Sequence, residues 1–223
     1  MAVKSKSTRV DRAYDRLKED ILSSGLPPGF QAPEPDIAER LEMSRTPVRE
    51  ALIRLEADGL VELVPRRGAK VLALSLEDLS EIYDLLIALE PCALANLTSE
   101  KIDAEALEEL EALIGEMEGA QRAQDLDAWV EADDRFHRKL LSLRGNQRLA
   151  HFTGCLLDQV HRGRMVLLRM LKAPIGNVQQ HRDVLAAILV GDGAAAADLA
   201  RRHRIAAKQA LENVFASCRL SQV

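Results

Sequence analysis

Apolar residues recur at helical spacing along most of this chain, and the departures from that period are confined to its first third. Val10, Tyr14, Leu17, Ile21 and Leu22 fall on one helical face within residues 9 to 24, and the run Gly25-Leu26-Pro27-Pro28-Gly29 ends that element. Pro33 and Pro35 permit a new start, and Ile37, Ala38 and Leu41 supply the apolar face of a short helix. After a break at Glu42-Met43-Ser44-Arg45, Ser44 or Thr46 can cap another helix that tolerates Pro47 in its first turn. Val48, Leu52 and Leu55 give that helix one buried face until Gly59 stops it. Leu60 to Val64 and Ala69 to Ala73 are β-prone runs joined by Pro65-Arg66-Arg67-Gly68, which predicts a hairpin with a basic tip.

From there on the helical period predicts six bundle helices over 76–97, 104–124, 126–143, 149–171, 178–190 and 194–216. Their breaks fall at Thr98-Ser99, Gly145-Asn146 and Pro174 to Asn177, while Gly191-Asp192-Gly193 is only long enough for a turn. Hairpin gives way to helix at Ala73-Leu74-Ser75, so the expected organisation is a winged helix-turn-helix over 1–74 followed by an antiparallel six-helix bundle over 75–223. The fold class is mainly α.

Two short helices, a tight turn and a β-hairpin form a unit that reads DNA. Burial of Val48, Leu52 and Leu55 leaves Arg45, Thr46, Arg49 and Arg54 facing outward. Arg45 and Arg49, four apart, can reach base edges or phosphates from a helix in the major groove, and Ser44 and Thr46 offer hydroxyls to phosphate. Arg66 and Arg67 at the hairpin tip suit the adjacent minor groove, and Gly68 allows the backbone a close approach.

Charge narrows this picture. The 223 residues carry a net charge of −5, split between 13 Lys/Arg against 12 Asp/Glu in residues 1–74 and 17 against 23 in the remainder. A chain of this balance does not coat nucleic acid indiscriminately, so contact with DNA has to come from a local basic face. Its 47% hydrophobic content is ample for a core, and no apolar run approaches the length of a membrane span. Cys92, Cys155 and Cys218 are odd in number and widely spaced, without a Cys-x-x-Cys pair, which fits a reducing cytoplasm. The charged start Met1 to Arg12 is not followed by the apolar segment of a signal peptide.

All five histidines lie in the second part, and three have spacings that agree. His181 precedes Asp192 of the turn by eleven residues and His203 follows it by eleven. In an antiparallel hairpin both imidazoles therefore sit at one level, about 16 Å from the loop at 1.5 Å per residue. Asp133 and His137 share a face with Leu126, Val130, Leu140 and Leu141, so two polar groups are set into an apolar stripe. His181 has Val184, Leu185 and Ile188 on its side, and His203 has Ala196, Leu199 and Ala206. A carboxylate and three imidazoles converging in a bundle core are each costly unpaired, and a divalent transition metal satisfies all four. The alternative is four separate polar residues, each hydrogen-bonded where it stands. Trp129 and Phe136 are expected in the core, and His151 and His161 at the surface or locally hydrogen-bonded.

The run Ser44-Arg45-Thr46-Pro47-Val48-Arg49-Glu50-Ala51-Leu52, with Leu55, Gly59-Leu60-Val61 and Pro65-Arg66-Arg67-Gly68, resembles the DNA-binding domain of GntR-family bacterial transcription regulators. Leu89-Glu90, Asp133 to Phe136-His137, Gly145-Asn146, His181 and the Gly191-Asp192 turn before His203 resemble the FadR-type subgroup's effector domain, an all-α bundle abbreviated FCD. The resemblance implies that Asp133, His137, His181 and His203 hold zinc, nickel or manganese, with a small organic acid bound beside it. It further implies a homodimer on a palindromic double-stranded operator, commonly a repressor released by the effector. Two positions depart from the family pattern. Glu34 is followed by Pro35 rather than by a basic residue, and Leu86 stands where many members carry Arg four residues before the glutamate. The effector pocket is then either less cationic or served by other residues, for which Arg162 and Arg164 are the candidates. An open His3Asp site also suits a metal-dependent hydrolase, although no further Glu or His at matching spacing supplies a general base. A regulator that senses the metal itself is a third expectation.

Overall fold

The computed structural model describes residues 7–97, 100, 102–171 and 177–223. The chain divides into two compact units, the first ending at Ala73 and the second beginning at Leu74.

In the first unit the side chain of Thr8 accepts from the Asp11 N–H while the Asp11 carboxylate takes the Thr8 N–H, a capping box that starts α1 (Arg9–Leu22). Ala13, Leu17 and Ile21 form its buried face and pack against the third helix. Next come β1 (Gln31–Ala32), α2 (Glu34–Arg40), α3 (Arg45–Ala57), β2 (Val61–Val64) and β3 (Gly68–Val71). Pro35 sits in the first turn of α2, where a missing N–H leaves no bond unmade. Leu41 and Ser44 bracket the turn into α3, with Glu42 in the left-handed region at φ +55°. The buried face of α3 is Pro47, Val48, Ala51, Leu52 and Leu55, as its period predicts. Ser44 takes the N-cap position, but its hydroxyl makes no capping bond.

The wing is a sheet of order β1-β3-β2, antiparallel throughout, with Val61 opposite Val71 and Val64 opposite Gly68. Its third strand, β1, pairs Gln31 with Lys70 and has no counterpart in the sequence reading, because two residues are too few to express a period of two. Gly68 lies where β1 and β3 meet. Its φ is +85°, and a Cβ there would stand 2.0 Å from the Ala32 carbonyl oxygen and 2.5 Å from the Pro33 Cα. The close approach that this glycine permits is thus to the protein's own β1.

Among the described residues the second unit is a bundle of six helices: α4 (Leu76–Leu94), α5 (Ala104–Ala123), α6 (Leu126–Leu143), α7 (Gln147–Leu171), α8 (Val178–Leu189) and α9 (Gly193–Cys218). Ser75, Asp103, Asp125, Asn177 and Asp192 each accept a backbone N–H at the head of a helix, which fixes where α4, α5, α6, α8 and α9 begin. The fold is mainly α, as the periodicity predicts, and the helix bounds differ from the expected ones by at most three residues. The expected breaks at Thr98-Ser99 and Pro174 to Gly176 lie outside the described residues, as do the first residues of the charged start. Helix α9 packs along α4 and α8, α5 along α6, and α6 along α7. The last residue closes the unit through paired backbone hydrogen bonds of 2.7 and 2.9 Å between Leu74 and Val223.

Gly68→Ala should destabilise the first unit by about 1 to 3 kcal/mol, because it combines left-handed strain with a backbone clash. Chemical denaturation and amide exchange of the β1 and β3 residues measure it, and parental stability with parental protection would contradict the stated role.

Candidate functional site

Helix α6 carries Asp133 and His137 one turn apart on its buried face, α8 carries His181 and α9 carries His203. One ligand atom from each of the four lies within 4.8 Å of the other three. The imidazole centroids are 4.9 Å apart for His181 and His203, 5.1 Å for His137 and His203, and 5.3 Å for His137 and His181. Val130, Leu140 and Leu141 are buried beside Asp133 and His137, and Val184, Leu185 and Ile188 beside His181. On α9 the buried companions of His203 are Ala196, Ala200 and Ala207 rather than Leu199 and Ala206. The helical face is rotated by one residue from the expected one, because Arg204 also turns inward.

Each ligand side chain is held by a partner on another element. Glu90 of α4 accepts from His137 Nδ1 at 2.6 Å with one oxygen and from Arg204 Nε with the other. Arg164 of α7 donates to Asp133 Oδ2 at 2.6 Å, leaving Oδ1 2.9 Å from His181 Nε2 and 3.8 Å from His137 Nε2. His203 Nδ1 donates to Gln180 Oε1 at 2.9 Å. A carboxylate or amide oxygen on one ring nitrogen fixes the tautomer and frees the other nitrogen for coordination.

Burial raises the Glu90 carboxyl, but the Arg204 guanidinium and the His137 ring outweigh it and hold the group well below its usual range. Asp133 is governed the same way, with burial overcome by Arg164, His137 and His181. His203 and His137 are both pushed below the ordinary value of 6.5, first by burial and then by neighbouring positive groups. His137 and His203 are therefore held neutral and Asp133 ionised, the protonation state that a divalent cation requires of them.

A metal fits this donor set on one observation above others: His137 Nε2, 3.8 Å from Asp133 Oδ1, is a buried side-chain nitrogen without a hydrogen-bond partner, and His181 Nδ1 is a second buried nitrogen of the same kind. Such groups are costly in an apolar core unless something occupies the space they face. A cavity of about 10 Å³ opens among Glu90, His137, Gln180, His181 and His203, with Leu94, Phe136, Leu140, Val184 and Ala200 completing its wall. That volume takes about one water-sized particle. Phe136, expected in the core, also lines it, with an edge-to-face contact to His181 at 5.0 Å. Trp129 is buried beneath the Arg164 guanidinium, 5.7 Å from its ring centroid.

Of the two arginines expected at the pocket, Arg164 reaches it through Asp133. Arg162 is buried beside Asp78 and is absent from the cavity wall; burial brings its pKa down to about 10. Sequence reasoning missed Arg204, whose place in Arg201-Arg202-His203-Arg204 reads as a basic surface run. Glu90 carried a signal of its own, a glutamate on the apolar Leu79, Leu86 and Leu94 face of α4. His151 is exposed as expected, whereas His161 is half-buried and its Nδ1 is enclosed.

The first unit holds a second candidate site. Arg45, Arg49 and Ile53 of α3 face Pro33, Glu34 and the Leu63-to-Arg66 side of the wing across a groove of about 450 Å³. Ser44, Arg45, Thr46, Arg49, Arg66 and Arg67 are all exposed. Arg49 lies 3.9 Å from Glu34, an exposed pair worth at most about 1 kcal/mol and easily given up. Arg54 belongs elsewhere: it pairs with Asp11 at 2.9 Å and stacks 4.2 Å over Tyr14.

Residues 9–71 match the family described as bacterial regulatory proteins, gntR family, and residues 81–206 match the FCD domain. The chain belongs to the GntR family. It is similar to an HTH-type transcriptional regulator of the TAR-I ttuE-ttuC' intergenic region of Agrobacterium vitis, 43% identical over 142 residues, covering 62% of this chain and 82% of that one. It is also similar to the HTH-type transcriptional repressor RspR of Escherichia coli K12, 29% identical over 180 residues, 81% of this chain and 78% of the relative. Its fold matches that of E. coli McbR/YncC with a TM-score of 0.77 at 22% identity, over 96% of this chain and 100% of the other. This GntR protein is thus a transcriptional regulator with an FCD domain rather than an enzyme, and the hydrolase expectation has no support in the family or in the names of these relatives. Among the described residues no helix is long and apolar enough to cross a membrane.

Because burial keeps His137 and His203 neutral in the folded chain, the unfolded chain binds protons first as pH drops through 6.5. The metal-free protein should hold full stability above that value and lose it progressively below, with further loss below 4.5 as Glu90 is forced toward protonation. Thermal unfolding in chelator across this range tests the sign; a midpoint that is flat or rises on acidification would contradict it.

Proposed function

We propose that this GntR-family protein is a homodimeric repressor in which Asp133, His137, His181 and His203 hold one divalent metal ion and a small carboxylic acid bound beside it controls operator affinity. The observation that carries the reading is the convergence of one carboxylate and three imidazoles, with ligand atoms within 4.8 Å of one another, around a buried His137 Nε2 that has no hydrogen-bond partner. Three nitrogens and one oxygen suit an ion of the zinc, nickel or manganese class. Such an ion supplies an open coordination position for an acid's carboxylate. Glu90 and Gln180 orient the His137 and His203 rings, and Arg164 keeps Asp133 ionised and aimed.

The cavity admits an ion but not an organic acid, so the acid has to displace wall residues to enter. That requirement gives the coupling a physical basis: the ligand favours a bundle with the wall moved, and the equilibrium shifts by its differential affinity for the two states. The ion-sized volume also favours a second reading, in which the metal alone is the signal. Operator binding titrated with metal, with and without small acids, separates the two.

On DNA, Arg45 and Arg49 of α3 read the major groove, Ser44 and Thr46 meet phosphate near the helix N-terminus, and Arg66 and Arg67 enter the minor groove. The hydroxyl of Ser44 makes no capping bond and so is available for this. Gly68 contributes by holding the wing to β1. Arg49 gives up its long contact with Glu34 on binding. The names RspR and GlaR, both described as repressors, support the direction of control.

His181→Ala should lower bound metal to well below one equivalent, measured by elemental analysis of purified protein, while leaving the helical content intact; full metal retention would sink the metal reading. Arg49→Ala should weaken specific operator binding by about 1 to 3 kcal/mol at fixed salt, and an unchanged footprint would contradict its place in the groove.

A further inference from the structure

The cavity has two tiers, and each wall helix contributes to both. Glu90, His137, His181 and His203 stand at the level of the ion. One helical turn away, about 5 Å along the axes, the same four helices present Leu94, Leu140, Val184 and Ala200, and Phe136 closes the side. The register follows from the chain: Leu94 lies four residues after Glu90, Leu140 three after His137 and Val184 three after His181. Helix α9 runs back along α8, so Ala200 lies three residues before His203.

Among the described residues no cation stands in that second tier. Arg164 and Arg204 are outside the cavity wall, and each is already tied to a buried carboxylate, Asp133 and Glu90 respectively. Leu86, one turn from Glu90 in the opposite direction, is fully buried and apolar. A ligand with a second carboxylate would bury it against leucine, valine and phenylalanine with no partner, which costs several kcal/mol.

We infer that the cavity, once its wall side chains are displaced, selects a monocarboxylate with a short apolar body, its carboxylate at the metal and its chain among Leu94, Phe136, Leu140 and Val184, with Ala200 as the residue that limits the length of that chain. This rests on the metal reading above. Ala200 is the smallest side chain of the tier, so its size sets the length of chain accommodated.

The test uses the full chain loaded with zinc, its metal stoichiometry measured first, then titrated calorimetrically with butyrate and hexanoate and with the dicarboxylates of equal length, succinate and adipate. Butyrate is expected to bind at least about tenfold more tightly than succinate. Ala200→Leu should weaken butyrate about tenfold with zinc content unchanged, and Val184→Ala, which adds space without adding bulk, should move the preference toward hexanoate. Zinc held at one equivalent together with tighter succinate, no binding of any acid, or parental butyrate affinity in Ala200→Leu with an unmoved preference in Val184→Ala, overturns the inference and leaves the metal reading standing. A parent protein that binds no zinc overturns both.

Discussion

The second unit is organised around charges that its own core makes expensive. Asp133 and Glu90 are almost wholly enclosed, and each is compensated by a guanidinium from another helix, Arg164 from α7 and Arg204 from α9. Removing one partner of such a buried pair costs about 3 to 5 kcal/mol, because the other charge is left behind in apolar surroundings. The two pairs therefore tie α4, α6, α7 and α9 to a shared register. That register is also what aims the imidazoles: Glu90 holds His137, and Asp133 stands between His181 and His137.

Viewed this way, the cluster is a set of groups already in coordinating form. Burial keeps the His137 and His203 rings neutral, the arginines keep the carboxylates ionised, and two ring nitrogens have no hydrogen-bond partner. An apolar tier one turn away makes the cavity asymmetric, able to distinguish the head of a ligand from its body. The first unit solves a different problem. Its core fixes α3 and the wing from behind, through the buried face of α3 and the β1–β3 junction at Gly68, and leaves the arginines on the groove without strong internal partners.

Much of this was legible in the sequence because it rests on spacing. Eleven residues on either side of Asp192 place His181 and His203 at one level in any antiparallel hairpin, and the i, i+4 pair Asp133 and His137 shares a face in any helix. Capping residues and glycine turns fixed the helix ends to within a turn. What stayed hidden depends on contacts between distant elements. Arg204 sits in a basic run and becomes a core residue only because Glu90 lies 114 positions earlier on the facing helix. Gln180 has no pattern of its own, and β1 is two residues long. Arg162 and Arg164 are adjacent in type and nearly in position, yet two residues on a helix turn them toward Asp78 and Asp133.

The central claim is that one carboxylate and three imidazoles share a single ion. X-ray absorption spectroscopy of the metal-loaded protein addresses it most directly, since imidazole rings give a distinctive multiple-scattering signal. One metal per chain bound by three imidazoles and at least one oxygen donor is the expected result; oxygen donors alone, or sulfur from the cysteines, would contradict a shared ion at these four residues.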